Sequence, residues 1–165
     1  MQLFMPNKSL IQSAESLDDL RLRIQLKEAA QILSTAIFNK TEIINDGLYK
    51  PYNKNGRFTK WVQSSKYAFL NIVDYCKYLH NEYQYRFNKE HKSFLVIKNC
   101  EKYVDIFPEI GYKNYVGCKR CEELMNELDI DIHEAYQIVL SEKWINDIKK
   151  PKWTNRNKPR WFNEA

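Results

Sequence analysis

The chain has 165 residues and a formal net charge of +5, so it can bury the core of one domain and favours an anionic partner. Only four Gly and five Pro occur, and apolar residues recur at helical spacing, which disfavours sandwich and barrel folds. No apolar run reaches the roughly 20 residues of a membrane span, and the apolar start is too short for a signal peptide. We therefore expect a cytoplasmic protein that does not insert into a membrane.

The first long helix is predicted to follow a short extended segment that contains Pro6. Helical structure is expected from near Ser9, and Ser16 is expected to cap a helix that runs to about Phe38. The apolar stripe of that helix, expected to face the core, consists of Leu22, Leu26, Ala29, Leu33 and Ile37.

Another face of this helix carries a polar row of four residues, Asp18, Arg21, Gln25 and Glu28. If the row faces a cleft, Arg21 and Gln25 can hold an anionic ligand while Glu28 transfers protons or stabilises a developing cation. In the alternative, Asp18 and Arg21 form a solvated ion pair worth about 0.2 to 0.5 kcal/mol. The spacing alone leaves both interpretations open.

A basic, aromatic loop is predicted over residues 39–57, where Gly, Pro and Asn are frequent. Further helices are expected over residues 59–87, 93–103, 121–127 and 131–147. The chain is thus predicted to be an all-α, compact single-domain helical bundle over residues 1–150. A basic, Trp-containing tail, residues 151–165, is expected to dock on this bundle.

Cationic and aromatic residues alternate in the loop, near the end of the 59–87 helix and in the tail. The candidates for phosphate binding or base stacking are Lys54, Arg57, Lys60, Arg86, His91, Trp153 and Arg160. Phosphates require cations, and unstacked bases require flat apolar faces. A structural role is the alternative, because Trp residues near a terminus often anchor it to the core and a single His near a helix end often packs there.

Cys118 and Cys121 form one CxxC motif, "CKRC". It is either half of a zinc site, completed by His91, His133 or Cys100, or a polar turn. Because no second paired motif occurs, we expect no metal and no cofactor. In a reducing cytosol these cysteines are expected to be thiols.

The stretches "MQLFMP" and "SAESLDDLRLRIQLKEAAQIL" resemble the start of the pyrimidine-dimer DNA glycosylase (endonuclease V) family, whose broader bacterial and phage members share an LDDxRLxxQxxEAxxIL-like helix. Three later stretches, "LYKPYNKNGRFTKWVQSSKYAFL", "EYQYRFNKEHKS" and "KWTNRNKPRWF", are similar to blocks in uncharacterised phage relatives. Together these blocks cover about half of the chain.

The resemblance implies an all-helical fold, an N-terminal amine that attacks the sugar C1′, and a helix-borne glutamate that assists base loss. The matching carboxylate is Glu28. An α-amine with a pKa of about 7.7 to 8.0 is partly neutral at physiological pH and can form an imine. Because Gln2 is too bulky for efficient removal of Met1, the nucleophile would be Met1 itself, which leaves the strand-cleaving lyase step unsupported.

The resemblance therefore predicts a DNA-binding protein that cleaves the N-glycosidic bond of a damaged or modified base, in the host cytoplasm if phage-encoded. A noncatalytic protein that binds a nucleotide or nucleic acid is the main alternative. An interaction protein with a solvated polar row and an exposed apolar patch is a third. Gly-rich phosphate loops, GxSxG, HExxH and the kinase motif set do not occur, which disfavours most nucleotide-hydrolysing folds.

Overall fold

The computed structural model of the protein describes residues 1–45, 47–111 and 114–163, and every regular element in these ranges is helical. A short 3-10 turn, Val104–Ile106, lies between the fifth and sixth helices. The helices, in chain order, are α1 (Leu10–Ser16), α2 (Asp19–Thr41), α3 (Arg57–Val62), α4 (Lys66–Phe87), α5 (Ser93–Glu101), α6 (Lys119–Leu128) and α7 (Ile132–Asn146). The predicted all-α fold is confirmed.

The core is built around α2, which packs against α3, α4 and α5. The apolar stripe predicted for this helix is fully buried at every position: Leu22, Leu26, Ala29, Leu33 and Ile37. Around this centre, α1 packs on α4, and α6 packs on α7. No helix in the described ranges is long and apolar enough to cross a membrane.

The predicted start of α2 is wrong, because Ser16 ends α1 instead of capping the longer helix. The N-cap residue of α2 is Asp18. Between the two helices the chain turns at Leu17, which is fully buried. The guanidinium of Arg86 donates to the carbonyls of Glu15 and Leu17, at 2.9 and 2.7 Å, so these acceptors are bound by a distant side chain at the junction of the two helices.

The single helix predicted over residues 59–87 is also wrong, because residues 63–65 separate α3 from α4. Ser65 caps α4, and its Oγ accepts from the N–H of Ala68 at 3.1 Å. The Lys66 N–H donates to the Pro108 carbonyl at 2.8 Å. A Cβ placed on Gly111 would lie 2.3 Å from the Ser64 carbonyl oxygen, so only glycine allows the chain to pass so close to this break.

The tail is described as far as residue 163, and it packs on α7 through aromatic rings. The ring of Trp144 in α7 lies 5.0 Å from that of Trp153, 5.3 Å from that of Trp161 and 4.8 Å from that of Phe162. Trp153 Nε1 also donates to the Ser16 carbonyl at 3.0 Å. The predicted tail residues 164–165 lie outside the described residues.

Candidate functional site

A non-helical N-terminal segment, residues 1–5, lies along α2 and is bound by the buried side chain of Gln25. Its Oε1 accepts from the Phe4 N–H at 2.7 Å, and its Nε2 donates to the Gln2 carbonyl at 2.9 Å. One amide side chain thus replaces the two backbone bonds that a neighbouring strand would supply.

Side chains from α4, α7 and the loop before α6 bind three further carbonyls of this region. Tyr75 and Tyr115 donate to the carbonyls of Phe4 and Leu3, at 2.5 and 3.0 Å. A ring nitrogen of His133 lies 2.8 Å from the Met5 carbonyl. The segment is therefore fixed by contacts from several parts of the bundle, and the carbonyls of residues 2–5 have side-chain partners although the segment forms no regular structure.

Glu28 lies one helical turn beyond Gln25 and meets the same segment. Its Oε2 accepts from the backbone N–H of Gln2 at 2.7 Å in a half-buried position. The structure thereby places the carboxylate that the family resemblance singles out beside the N-terminal residues. The nitrogen on this carboxylate is the peptide nitrogen of Gln2, which is not a nucleophile.

The other half of the polar row is used inside the fold. Arg21 pairs with Asp18 at 3.3 Å and with Asp147, where Nη2 lies 3.0 Å from Oδ1. Trp144 Nε1 donates to Asp18 Oδ1 at 2.7 Å. The Arg21 side chain is only 11% exposed, so two carboxylates neutralise a cation that has little access to a ligand.

A cavity of about 390 Å³ lies next to the docked N-terminus. Its lining brings together stretches that are far apart in sequence: Met1, Gln2, Ile32, Asn53, Gly56, Arg57, Phe58, Thr59, Cys118 and Lys119. Arg57 and Lys119 provide positive charge at this wall, and both are exposed. Glu28 is not part of the lining and reaches it through its bond to Gln2.

Arg57 links this cavity to a second, more open one of about 470 Å³, which is lined also by Lys60 and Trp61. Its guanidinium forms an ion pair with Glu122 and donates to the Gly117 carbonyl at 3.4 Å. Because Arg57 and Glu122 are 40% and 51% exposed, this pair is screened by solvent and leaves Arg57 accessible. The neighbouring Lys54 is exposed, with its Nζ 4.2 Å from the centre of the Phe38 ring.

Three further predicted ligand-binding residues support the fold instead of facing these cavities. The Arg86 side chain is fully buried and pairs with Glu82 at 2.6 Å and Asp19 at 3.1 Å. Trp153 packs in the tail cluster described above. His91 accepts from the Ser93 N–H through Nδ1, and burial together with His80 lowers the pKa of His91, which disfavours its charged form.

Arg160, the last predicted cation, is exposed in the tail beside Trp161. The structure thus places Met1 and Arg57 at one cavity, with Glu28 and Gln25 bound to the N-terminal segment beside it. Arg86, His91 and Trp153 instead pack within the fold.

Of the ten lining residues, sequence reasoning named only Met1 and Arg57 as site residues, and it missed the two with reactive or charged side chains, Cys118 and Lys119. It also missed the carboxylates that neutralise predicted cations, Asp147 and Glu82. The CxxC motif was a signal for Cys118, but nothing in the pattern placed it beside the N-terminus. Asp147 lies 126 residues from Arg21, beyond the reach of any helical spacing rule.

Comparison of the chain with protein-family models, with curated proteins and with solved structures gave no match.

Proposed function

We propose that this protein binds DNA at the Arg57 and Lys119 wall and cleaves the N-glycosidic bond of a damaged or modified base, with Glu28 as the proton-transferring carboxylate. The observation that supports the proposal is the 2.7 Å bond between Gln2 N and Glu28 Oε2, beside a cation-lined cavity. The bond sets Glu28 against the residue that follows Met1, whose amine is the other group that the glycosylase resemblance requires.

The chemistry assigned to these groups is amine attack on the sugar. The lone pair of the Met1 amine forms a bond to C1′, and the bond between C1′ and the base breaks with its electron pair on the base, which takes up the proton that the attached amine releases. Glu28 then gives a proton to O4′, the C1′–O4′ bond breaks with its electron pair on that oxygen, and the nitrogen lone pair forms the protonated imine with C1′. Extrusion of the nucleotide from the duplex is expected to precede this step, because the reacting carbon is otherwise shielded by stacking.

A trapping experiment tests the proposal. Ultraviolet-irradiated and undamaged duplexes are incubated with the full chain and borohydride, which reduces an imine to a stable covalent adduct. We expect an adduct on irradiated DNA that maps to the N-terminal peptide, and none with Glu28→Gln. Glu42→Gln, at the exposed end of α2, is the matched control and should trap as well as the unmodified protein.

One observation favours a second function, noncatalytic binding of a nucleotide or nucleic acid. The nitrogen that contacts Glu28 is an amide, so the carboxylate has a structural partner and no adjacent nucleophile at that position. In this case no adduct or nicking forms, Glu28→Gln binds normally, and Arg57→Gln weakens binding. Both functions require binding of an anionic ligand, but only the glycosylase forms a covalent adduct that borohydride traps.

Binding is measured separately by titrating labelled duplex at several salt concentrations. Removing one phosphate contact with Arg57→Gln should reduce the slope of log affinity against log salt by about 0.9. Arg23→Gln is the control, because Arg23 is exposed on α2 and its guanidinium lies 5.0 Å from the Phe87 ring, away from the cavity lining. Equal slopes for the two variants would contradict the location of the DNA at the Arg57 wall.

A further inference from the structure

The CxxC motif plays no part in the function proposed above, although it lies at the same cavity. Cys118 is the N-cap residue of α6, and Cys121 follows in the first turn of that helix. Their Sγ atoms are 3.3 Å apart. Two thiols at this separation need only a small movement to form a disulfide.

The two sulfur positions differ in access. Cys118 belongs to the lining of the 390 Å³ cavity, whereas Cys121 is fully buried behind it and is not part of that lining. A reagent that enters the cavity therefore meets Cys118 first. This is the arrangement of an attacking thiol with a second thiol behind it that resolves a mixed disulfide.

The surroundings of the pair favour a thiolate on Cys118. The thiol of Cys121, the backbone N–H groups of Cys121 and Arg120, and the charge of Lys143 lower the pKa of Cys118 against the opposing effect of burial. The hydrogen bond with Cys118, then burial and the negative charge on Cys118, raise the pKa of Cys121. One thiol of the pair is thus activated while the other keeps its proton.

The remaining two cysteines have the opposite environment. Cys76 and Cys100 are fully buried in the core, and burial raises the pKa of both, that of Cys100 to about 12. Cys100 Sγ is 3.5 Å from Ser34 Oγ. These thiols are unreactive packing residues and provide an internal control.

A metal site does not account for the pair within the residues that the structure describes, because no group of three or more His, Cys, Asp or Glu side chains there could hold an ion. The cavity wall next to Cys118 carries Arg57 and Lys119. Positive charge beside a reactive sulfur attracts reagents that carry carboxylates.

We propose that Cys118 and Cys121 form a redox-active dithiol that reduces low-molecular-weight disulfides bearing carboxylate groups. The Cys118 thiolate attacks one sulfur of the disulfide RSSR, which forms a mixed disulfide and releases RS⁻. The Cys121 thiol loses its proton to the released thiolate and attacks Cys118 Sγ, which forms the Cys118–Cys121 disulfide and releases the second RS⁻. In total the protein loses two hydrogens and RSSR becomes two RSH. One of the two protons comes from Cys121, and the other is the proton that Cys118 released to solvent when it became a thiolate.

Oxidised glutathione is the probe for this reaction. The reduced full chain is incubated with it at pH 7, quenched with acid, alkylated and mapped by mass spectrometry. We expect the intact mass to fall by two hydrogens, with Cys118 and Cys121 protected from alkylation and Cys76 and Cys100 still thiols after denaturation. Dithiothreitol should restore the original mass.

Two variants separate the roles of the sulfurs. Cys121→Ser should accumulate a stable glutathione adduct on Cys118, and Cys118→Ser should form no adduct on the same timescale. If either variant does not fold, the proposal is tested on the unmodified protein by measuring the rate of Cys118 alkylation as a function of pH. In the folded protein this rate should reach half its maximum at a lower pH than it does for Cys118 in the denatured chain. Coincident profiles, or an adduct that forms equally on Cys76 or Cys100, would overturn the proposal.

The preference for carboxylates has its own control. Because the charge of Arg57 acts on Cys118 as well as on the reagent, Arg57→Gln should slow oxidation by oxidised glutathione several-fold more than oxidation by the neutral bis(2-hydroxyethyl) disulfide. Equal slowing with both reagents would mean that Arg57 acts only on the thiol and would overturn the assignment of the substrate class.

Discussion

The buried amide of Gln25 should be essential for docking of the N-terminal segment. Gln25→Leu keeps the size of the side chain but removes the acceptor of the Phe4 N–H and the donor to the Gln2 carbonyl. A buried donor left without a partner costs about 1 to 3 kcal/mol. The Gln2 carbonyl is only half-buried and regains some hydration, so we expect a total loss of about 2 to 4 kcal/mol in the free energy of unfolding.

Urea unfolding followed by circular dichroism measures this loss. With a denaturant dependence of about 2 kcal/mol per molar, the midpoint should fall by about 1 to 2 M. Gln12→Leu on the exposed face of α1 is the matched control and should change stability by less than about 0.5 kcal/mol. Hydrogen exchange locates the effect, because the Phe4 amide should lose protection. An unchanged midpoint together with unchanged protection of Phe4 would refute the role assigned to Gln25.

Three further outcomes follow from contacts that the fold uses. The hydrogen bond and charge of Arg21 hold the pKa of Asp147 below its usual range. The pair therefore contributes its full stabilisation of the fold above the unfolded pKa of about 3.9, and this contribution is lost as the pH falls through the lower pKa of the folded state. Asp147→Asn should lower the melting temperature at pH 6, and near pH 2 the melting temperatures of the variant and the unmodified protein should be equal. A difference in melting temperature that does not change with pH would contradict this. Arg86→Met removes the buried donor to the carbonyls of Glu15 and Leu17, while Arg156 still pairs with the carboxylate of Glu82 at 2.9 Å. It should lower the free energy of unfolding in urea by about 1 to 3 kcal/mol, whereas a loss below about 0.5 kcal/mol would show that the network relaxes. Phe162→Ala should loosen the tail and shift Trp fluorescence to longer wavelength, and unchanged emission would show that the ring is dispensable.

The apolar pattern predicted the centre of the fold correctly because it depends on short-range periodicity. The stripe from Leu22 to Ile37 repeats at the spacing of one helix face, and all its members are buried. The errors occurred where distant parts of the chain decide local structure. Arg86 binds the carbonyls that end α1, and the chain near Gly111 occupies the space beside the break between α3 and α4.

The polar row shows the same limit at the candidate site. Its spacing placed Gln25 and Glu28 on one face of α2, but no spacing rule could identify what that face would meet. The partner proved to be the backbone of residues 2 and 4, which offers donors and acceptors that do not depend on side-chain type. Arg86 was an equally plausible phosphate ligand until its carboxylate partners were known, one of which, Asp19, lies 67 residues away.

The contact between Glu28 and Gln2 also decides which substitution can separate catalysis from folding. Only Oε2 is bound to the Gln2 N–H, and a carboxylate offers about four acceptor sites, so this bond fixes the side chain without exhausting it. A glutamine at position 28 retains an amide oxygen that can accept from the same N–H, but it cannot transfer a proton as a carboxylate does. Loss of the trapped adduct in Glu28→Gln with unchanged stability would therefore report on chemistry. Glu28→Ala would also remove the acceptor of the Gln2 N–H, so a loss of activity in that variant would not distinguish a catalytic group from a residue that positions the wall of the cavity.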